Sequence, residues 1–374
     1  MVLKNDYNEC ITNLACSIRK HFDLEYKHNT LDYVDKILDK NKPKNVVVIL
    51  FDGMGSRILD RTLDKNDFFI KNKYKEITSV FPATTTAATT SMMTGLNPVE
   101  HGYTGWFSYI KPIDEVIALF TGENKVTQMP SDKWSDIKKK YFNYKIITEE
   151  INDAGKYRSR ILFPFGEDSY KDLDNMLSII KEECAEEGKK FIYAYDEEPD
   201  HTMHDVGPDS DEVKKLIKIR NDKVEKLCDG LKDTIVFIVA DHGHIKVDNI
   251  DLNDYPDVTG LLERTPSMET RAISFKVKVG KNKEFEEKFN KHFGKYFNLY
   301  NKSDIIDSKL FGDGDEHPLF RDAISDYIAI AENSNKSLVS EGDVILYSHH
   351  AGYTDDEVYI PLIIVNKVKL EKFL

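Results

Sequence analysis

No feature narrows the choice of fold more than the continuous β-branched run Val46-Val47-Val48-Ile49-Leu50-Phe51. A strand exposed on one face alternates apolar and polar residues, so an unbroken apolar run suits a central parallel strand buried on both faces. Three similar runs follow: Phe191-Ile192-Tyr193-Ala194-Tyr195, Ile235-Val236-Phe237-Ile238-Val239-Ala240 and Ile360-Pro361-Leu362-Ile363-Ile364-Val365. The last carries a proline, which a strand tolerates only near an edge or its start. Helical stretches separate the runs, Val213 to Leu231 among them. The alternation predicts an α/β protein with a mostly parallel central sheet and helices on both faces. In such sheets ligands gather at the carboxyl ends of the strands, so chemistry is expected just after each run.

The flanking segments read differently. Tyr7, Cys10, Ile11, Leu14 and Ile18 recur at helical spacing, as do Leu31, Val34, Ile37 and Leu38, which predicts two N-terminal helices packed on the core over residues 1–42. Ile273, Phe275, Val277 and Val279 alternate with Ser274, Lys276 and Lys278, the pattern of a half-exposed strand. The i, i+4 stripe Phe285, Phe289, Phe293 and Phe297 reads as the core face of a helix. Residues 266–335 are therefore expected to form a small α+β cap insertion, leaving 43–265 and 336–374 as the core.

With 52 Lys+Arg against 65 Asp+Glu the net charge is −13, so the basic footprint of a duplex nucleic acid or anionic membrane binder is missing. No stretch approaches eighteen apolar residues and no signal-peptide pattern opens the chain, which leads us to expect a cytoplasmic protein without a membrane partner. Cys10, Cys16, Cys184 and Cys228 show no C-x-x-C spacing and fall in helical segments, as buried free thiols would rather than a zinc knuckle or disulfide framework. Nothing in the sequence specifies an oligomeric state.

The first run ends in Asp52-Gly53-Met54-Gly55, but position 58 is Ile where a dinucleotide fingerprint needs its third glycine. The third run ends in Asp241-His242-Gly243-His244, and the second leads into Asp196-Glu197-Glu198-Pro199-Asp200-His201-Thr202-Met203-His204. Ser348-His349-His350-Ala351-Gly352 precedes the fourth run, and six of the 11 histidines lie in these three segments. Asp200 and His204 are four apart and share one face of a helix, a spacing that lets two side chains converge on one ion. Imidazole mixed with carboxylate and no thiolate suits zinc or manganese, and the number of candidate ligands makes two divalent metal ions the economical reading. Phe81-Pro82-Ala83-Thr84-Thr85-Thr86 leads into a helix that Gly95 is placed to end. Its threonines either cap that helix or present a hydroxyl to an anion held at the helix N-terminus.

The order Asp-Gly-x-Gly, F-P-x-x-T with T-G-x-x-P-x-x-H-G, E-P-D-x-x-x-H, D-H-G and a late H-x-G, spread over residues 52–352, resembles the alkaline phosphatase superfamily. Within it the chain is most similar to the type I phosphodiesterase/nucleotide pyrophosphatase family. The resemblance implies one metal on Asp200, His204 and His350, a second on Asp52, Asp241 and His242, and Thr85 as nucleophile between them. It further implies two zinc ions as cofactors, a metallo-hydrolase core interrupted by a cap, and a phosphothreonine intermediate. An asparagine is expected three residues after the nucleophile, where this chain has Ala88, so oxyanion stabilisation would fall on the metals and on the backbone N–H of Thr86. Tyr103, Trp106, Phe107 and Tyr109 follow the His101-Gly102 turn, and Trp106 is placed either to stack on a nucleobase or to pack in the core or a lid. The expected substrate is a small phosphate ester, a nucleotide among the candidates. A phosphomonoesterase or phosphate-transferring mutase on the same scaffold, or a metal-loaded binding protein, are the alternatives. A sulfatase is disfavoured because C/S-x-P-x-R is missing near position 85.

Overall fold

The computed structural model describes residues 4–166 and 169–368, so the last six residues assigned to the core lie outside the described residues. Six strands form the central sheet in the order Lys73–Thr78, Tyr359–Asn366, Thr234–Val239, Asn45–Phe51, Lys190–Asp196, Arg158–Leu162. The three apolar runs of the first, second and third kind lie side by side and parallel at its centre, every residue of each buried. Their register brings their ends level: Phe51 lies beside Asp196, and Leu50 beside Val239. Asp52, Asp196 and Asp241 thus leave the sheet along one edge.

The fourth run is antiparallel to both neighbours, a direction that an apolar run does not encode. Pro361 lies in its opening stretch, paired only with Lys73–Thr78; pairing with the central strand Thr234–Val239 begins at Ile363, after a register shift. The missing N–H therefore falls where the strand has a neighbour on one side only.

The predicted N-terminal helices are Ile11–His21 and Asp32–Asn41. The first packs against the helix Thr85–Thr94, and its Arg19 donates from Nη1 to Thr94 O at 3.0 Å. A cation at that carboxyl end complements the helix dipole and holds the helix in place from behind.

A second, antiparallel sheet has the order Asn298–Asn301, Tyr327–Ile330, Ala272–Phe275, Ser267–Met268, Phe107–Ile110, Glu115–Ala118. It is wider than residues 266–335, because two of its strands come from 107–118. Ala272–Phe275 is buried on both faces, where the alternation had predicted one exposed. Ile273 and Phe275 meet Phe285, Phe289 and Phe293 of the helix Asn282–Phe293, while Ala272 joins Met268, Phe320 and Ile328 in a separate cluster on the other side. The alternation reported charge at Lys276 and Lys278, beyond the strand's last residue. Among the described residues no helix is long and apolar enough to cross a membrane.

Candidate metal centre and nucleophile

Asp52 N donates to Asp196 O at 2.9 Å and Asp200 N donates to Asp52 O at 3.2 Å, so the sheet's own hydrogen bonding continues past the strand tips and delivers both aspartates to one place. Gly53 makes that approach possible. Its φ is +70°, and a Cβ there would stand 2.7 Å from Met203 Cε and 2.9 Å from Asp200 Cβ. Asp200 and His204 then sit one turn apart on the short helix Asp200–Val206.

Two groups of side chains converge: Asp200, His204, His244 and His350, and beside them Asp52, Asp200 and His242, with the donor atoms of each group within 4.8 Å of one another. His204 Nε2 lies 3.1 Å from Asp200 Oδ2, and His242 Nε2 lies 3.2 Å from Asp52 Oδ1. Asp241 stands next to the second group, with Oδ2 at 3.6 Å from His242 Nε2 while Oδ1 accepts from the N–H groups of Gly53 and His242. The structure thus brings together all six side chains named for the metals. It adds His244, and it puts Asp200 between the two groups.

Four buried atoms here have no hydrogen-bond partner: Asp200 Oδ1, Asp241 Oδ2, His244 Nε2 and His350 Nδ1. Unpaired buried polar atoms are costly, and four in one place on imidazole and carboxylate fit divalent metal ions well. Electrostatics point the same way. Burial and the neighbouring Asp52 charge push the Asp241 carboxyl well above the usual range. Burial alone would depress the His242 imidazolium, yet Asp241 and Asp52 outweigh it and hold the ring up at about 10. The buried carboxylates demand positive charge, and a cation supplies it without a proton.

Thr85 opens the helix Thr85–Thr94, which Gly95 ends at φ +75°. Its Oγ1 lies 3.3 Å from His242 Nε2 and 3.5 Å from Asp52 Oδ1. The preceding Thr84 does not cap the helix; its hydroxyl donates to Glu269 Oε1 at 2.7 Å instead. The N–H groups of the first turn stay free of a side-chain cap, facing the centre with the positive end of the dipole. Thr86 is fully buried and does not line the cavity. Ala88 packs in the hydrophobic core.

A cavity of about 690 Å³ opens from Asp52, Thr85, Asp200 and His204 and is walled by Tyr103, Trp106, Phe120, Phe142, Phe163 and Phe165. Phe107 lies across Trp106, in a smaller cavity of about 270 Å³ beside His349 and His350, and Tyr109 stacks under Arg264 away from the site. Tyr195, which donates to Asp52 Oδ2, and Glu269, which also accepts from Trp106 N at 2.6 Å, were missed in the sequence. Tyr195 sits in the second apolar run, where it reads as core; Glu269 has no motif around it. Burial raises Glu269 to about 7.

This architecture is that of the alkaline phosphatase superfamily. Murine ectonucleotide pyrophosphatase/phosphodiesterase 5, solved as an inactive variant in complex with AMP, superposes with a TM-score of 0.65 at 19% identity, over 86% of this chain and 88% of that one. The human enzyme of the same name gives 0.64 at 20%, over 85% and 87%. Phosphonoacetate hydrolase from Sinorhizobium meliloti 1021, in complex with phosphonoformate, gives 0.60 at 15%, over 88% and 91%. No curated protein sequence matches the chain at a significant level. The family profile described as type I phosphodiesterase / nucleotide pyrophosphatase matches residues 46–352, and the chain belongs to that family. It is accordingly a hydrolase of phosphoric esters.

Proposed function

We propose that the chain hydrolyses phosphodiester or phosphoanhydride bonds of small, nucleotide-like substrates through a covalent phosphothreonine on Thr85. The observation that carries this reading is the position of Thr85 Oγ1, at the start of a ten-residue helix and within 3.5 Å of both Asp52 and His242. Asp200, His204 and His350 would hold one divalent ion and Asp52, Asp241 and His242 another, zinc or manganese by their donor atoms. Such ions supply charge neutralisation for the phosphoryl group and lower the pKa of a nearby hydroxyl. Thr85 gives its hydroxyl proton to solvent as Oγ1 attacks phosphorus in line, the P–O bond to the leaving group breaks, and the departing oxygen takes a proton from water. Water then cleaves the Thr85 ester from the side the leaving group vacated. The free N–H groups of the first turn, that of Thr86 included, face the phosphoryl oxygens and stabilise the charge that develops there.

The relative solved with AMP supports a nucleotide substrate, and the threonine-to-alanine change in that inactive variant supports a threonine nucleophile. The breadth of the aromatic cavity favours a substrate larger than a simple phosphonate. Bis-p-nitrophenyl phosphate, p-nitrophenyl phosphate and phosphonoacetate, offered side by side to the metal-loaded protein, separate the readings. Faster diester turnover is the expected result. In Thr85→Ala, turnover should fall by about three orders of magnitude or more with metal content unchanged. A variant that keeps most of its activity refutes the covalent route, and preferred monoester turnover moves the assignment to a phosphatase or mutase.

A further inference from the structure

His244 is the member of the centre to which the family motifs assign no role. It is wholly buried, and its two ring nitrogens have different surroundings. Nδ1 lies 2.8 Å from Ser348 Oγ. That hydroxyl has a single proton and donates it to Met203 O at 2.6 Å, so toward His244 it acts as acceptor. The ring proton of His244 therefore sits on Nδ1, and Nε2 presents a lone pair. Nε2 faces Asp200 Oδ1 at 3.1 Å, but the two make no hydrogen bond and neither has another partner. Two acceptors face one another across a buried gap, an arrangement that repels unless a cation lies within reach of both. His204 repeats the design, with Nδ1 bonded to Ser348 O at 2.9 Å and Nε2 turned to Asp200 Oδ2. Orienting a metal-binding imidazole through its other nitrogen is the usual way such ligands are held.

We propose that His244, through Nε2, is the fourth protein ligand of the ion assigned to Asp200, His204 and His350. The inference rests on the metal reading of the site, not on the reaction. Its consequence is an asymmetric pair. Three nitrogens and one carboxylate make the four-ligand complement of a closed zinc site, whereas Asp52, Asp241 and His242 leave the neighbouring position open beside Thr85. The nitrogen-rich site is then the tight one and favours zinc or cobalt, while the oxygen-rich site exchanges its ion readily and accepts manganese.

The test titrates the full chain with zinc against a competing chelator, and records the visible absorption of cobalt-loaded protein. Wild type should bind two ions, one much more tightly. His244→Ala should weaken the tight ion about 100-fold or more and change the cobalt spectrum; Ser348→Ala, which only frees the ring, should weaken it about 10-fold. A folded His244→Ala that binds both ions as wild type does, with the same spectrum, overturns the assignment. If that variant does not fold, Ser348→Ala decides by the same two readouts. Wild type that takes up no ion overturns both this assignment and the metal reading. Two ions, weakened in His244→Ala, in a protein without hydrolase activity support His244 as ligand while refuting the proposed reaction.

Discussion

Arg271→Met should destabilise the protein by an amount that follows from its surroundings. The Arg271 side chain is fully buried and joins Glu357, also fully buried, through Nε at 2.6 Å and Nη2 at 2.9 Å. It further donates to Lys336 O and Ser334 O. Glu357 in turn accepts from the N–H of Gly352 at 2.7 Å and from the hydroxyl of Thr354 at 2.7 Å, which fixes the turn that follows His350. Gly352 leaves room for the pair, since a Cβ there would stand 2.7 Å from both partners. Removing the guanidinium strands a buried carboxylate, a change that typically costs about 3–5 kcal/mol. Unfolding entropy of about 2.1 cal/mol/K per residue over 374 residues is roughly 0.8 kcal/mol per degree, so Tm should fall by about 4–6 °C.

The pH dependence carries a sign. Burial alone would raise the Glu357 carboxyl, but the Arg271 charge and the Thr354 bonds outweigh it and hold the group below its ordinary value. A depressed carboxylate stabilises the fold above its unfolded pKa of about 4.3 and loses that contribution as pH falls through the folded value. In Arg271→Met the counterweight is gone, the pKa rises, and the variant gains relative to wild type on acidification. The Tm gap measured by calorimetry at fixed metal should be widest above about pH 6 and narrow toward pH 4. Arg271→Met with Glu357→Gln should recover at least half of the loss, because no charge is left unpaired. A shift under about 1 °C, or a double variant no better than the single one, refutes the reasoning.

Two further outcomes are expected. All four cysteines are buried, and burial raises their thiols to about 11 for Cys10, Cys16 and Cys184 and about 12 for Cys228, so native protein at pH 8 should give almost no reaction with an aromatic disulfide reagent and four thiols once denatured. Fast labelling of the native chain would contradict the burial of these four side chains. Trp106→Ala removes an aromatic wall next to Thr85, and loss of stacking worth about 0.5–1.5 kcal/mol should raise KM for a nucleotide diester about 2- to 12-fold. An unchanged KM would mean that the Trp106 ring does not meet the base.

What could be read from the chain was local or repeated: strands buried on both faces advertise themselves as runs, and Asp52 and Asp241 follow those runs at once, with Asp200 a few residues beyond the second, because strand tips are where such sheets place ligands. Direction and partnership were not local. The run 360–365 pairs antiparallel because of where the chain returns, and residues 107–118 join a sheet built mainly from 267–330, pairings that no periodicity encodes. The aromatic cavity draws on Tyr103, Phe142 and Phe165, each an ordinary core candidate in its own segment. His244 shows where the limit falls. Its place in Asp241-His242-Gly243-His244 marks it as chemistry-bearing, but its role depends on which nitrogen holds the proton. That is decided by Ser348, 104 residues away, and by the carboxylate of Asp200, arriving from a different strand. The type of residue is thus visible in the sequence, whereas the protonation that makes it a ligand exists only once three distant segments have met.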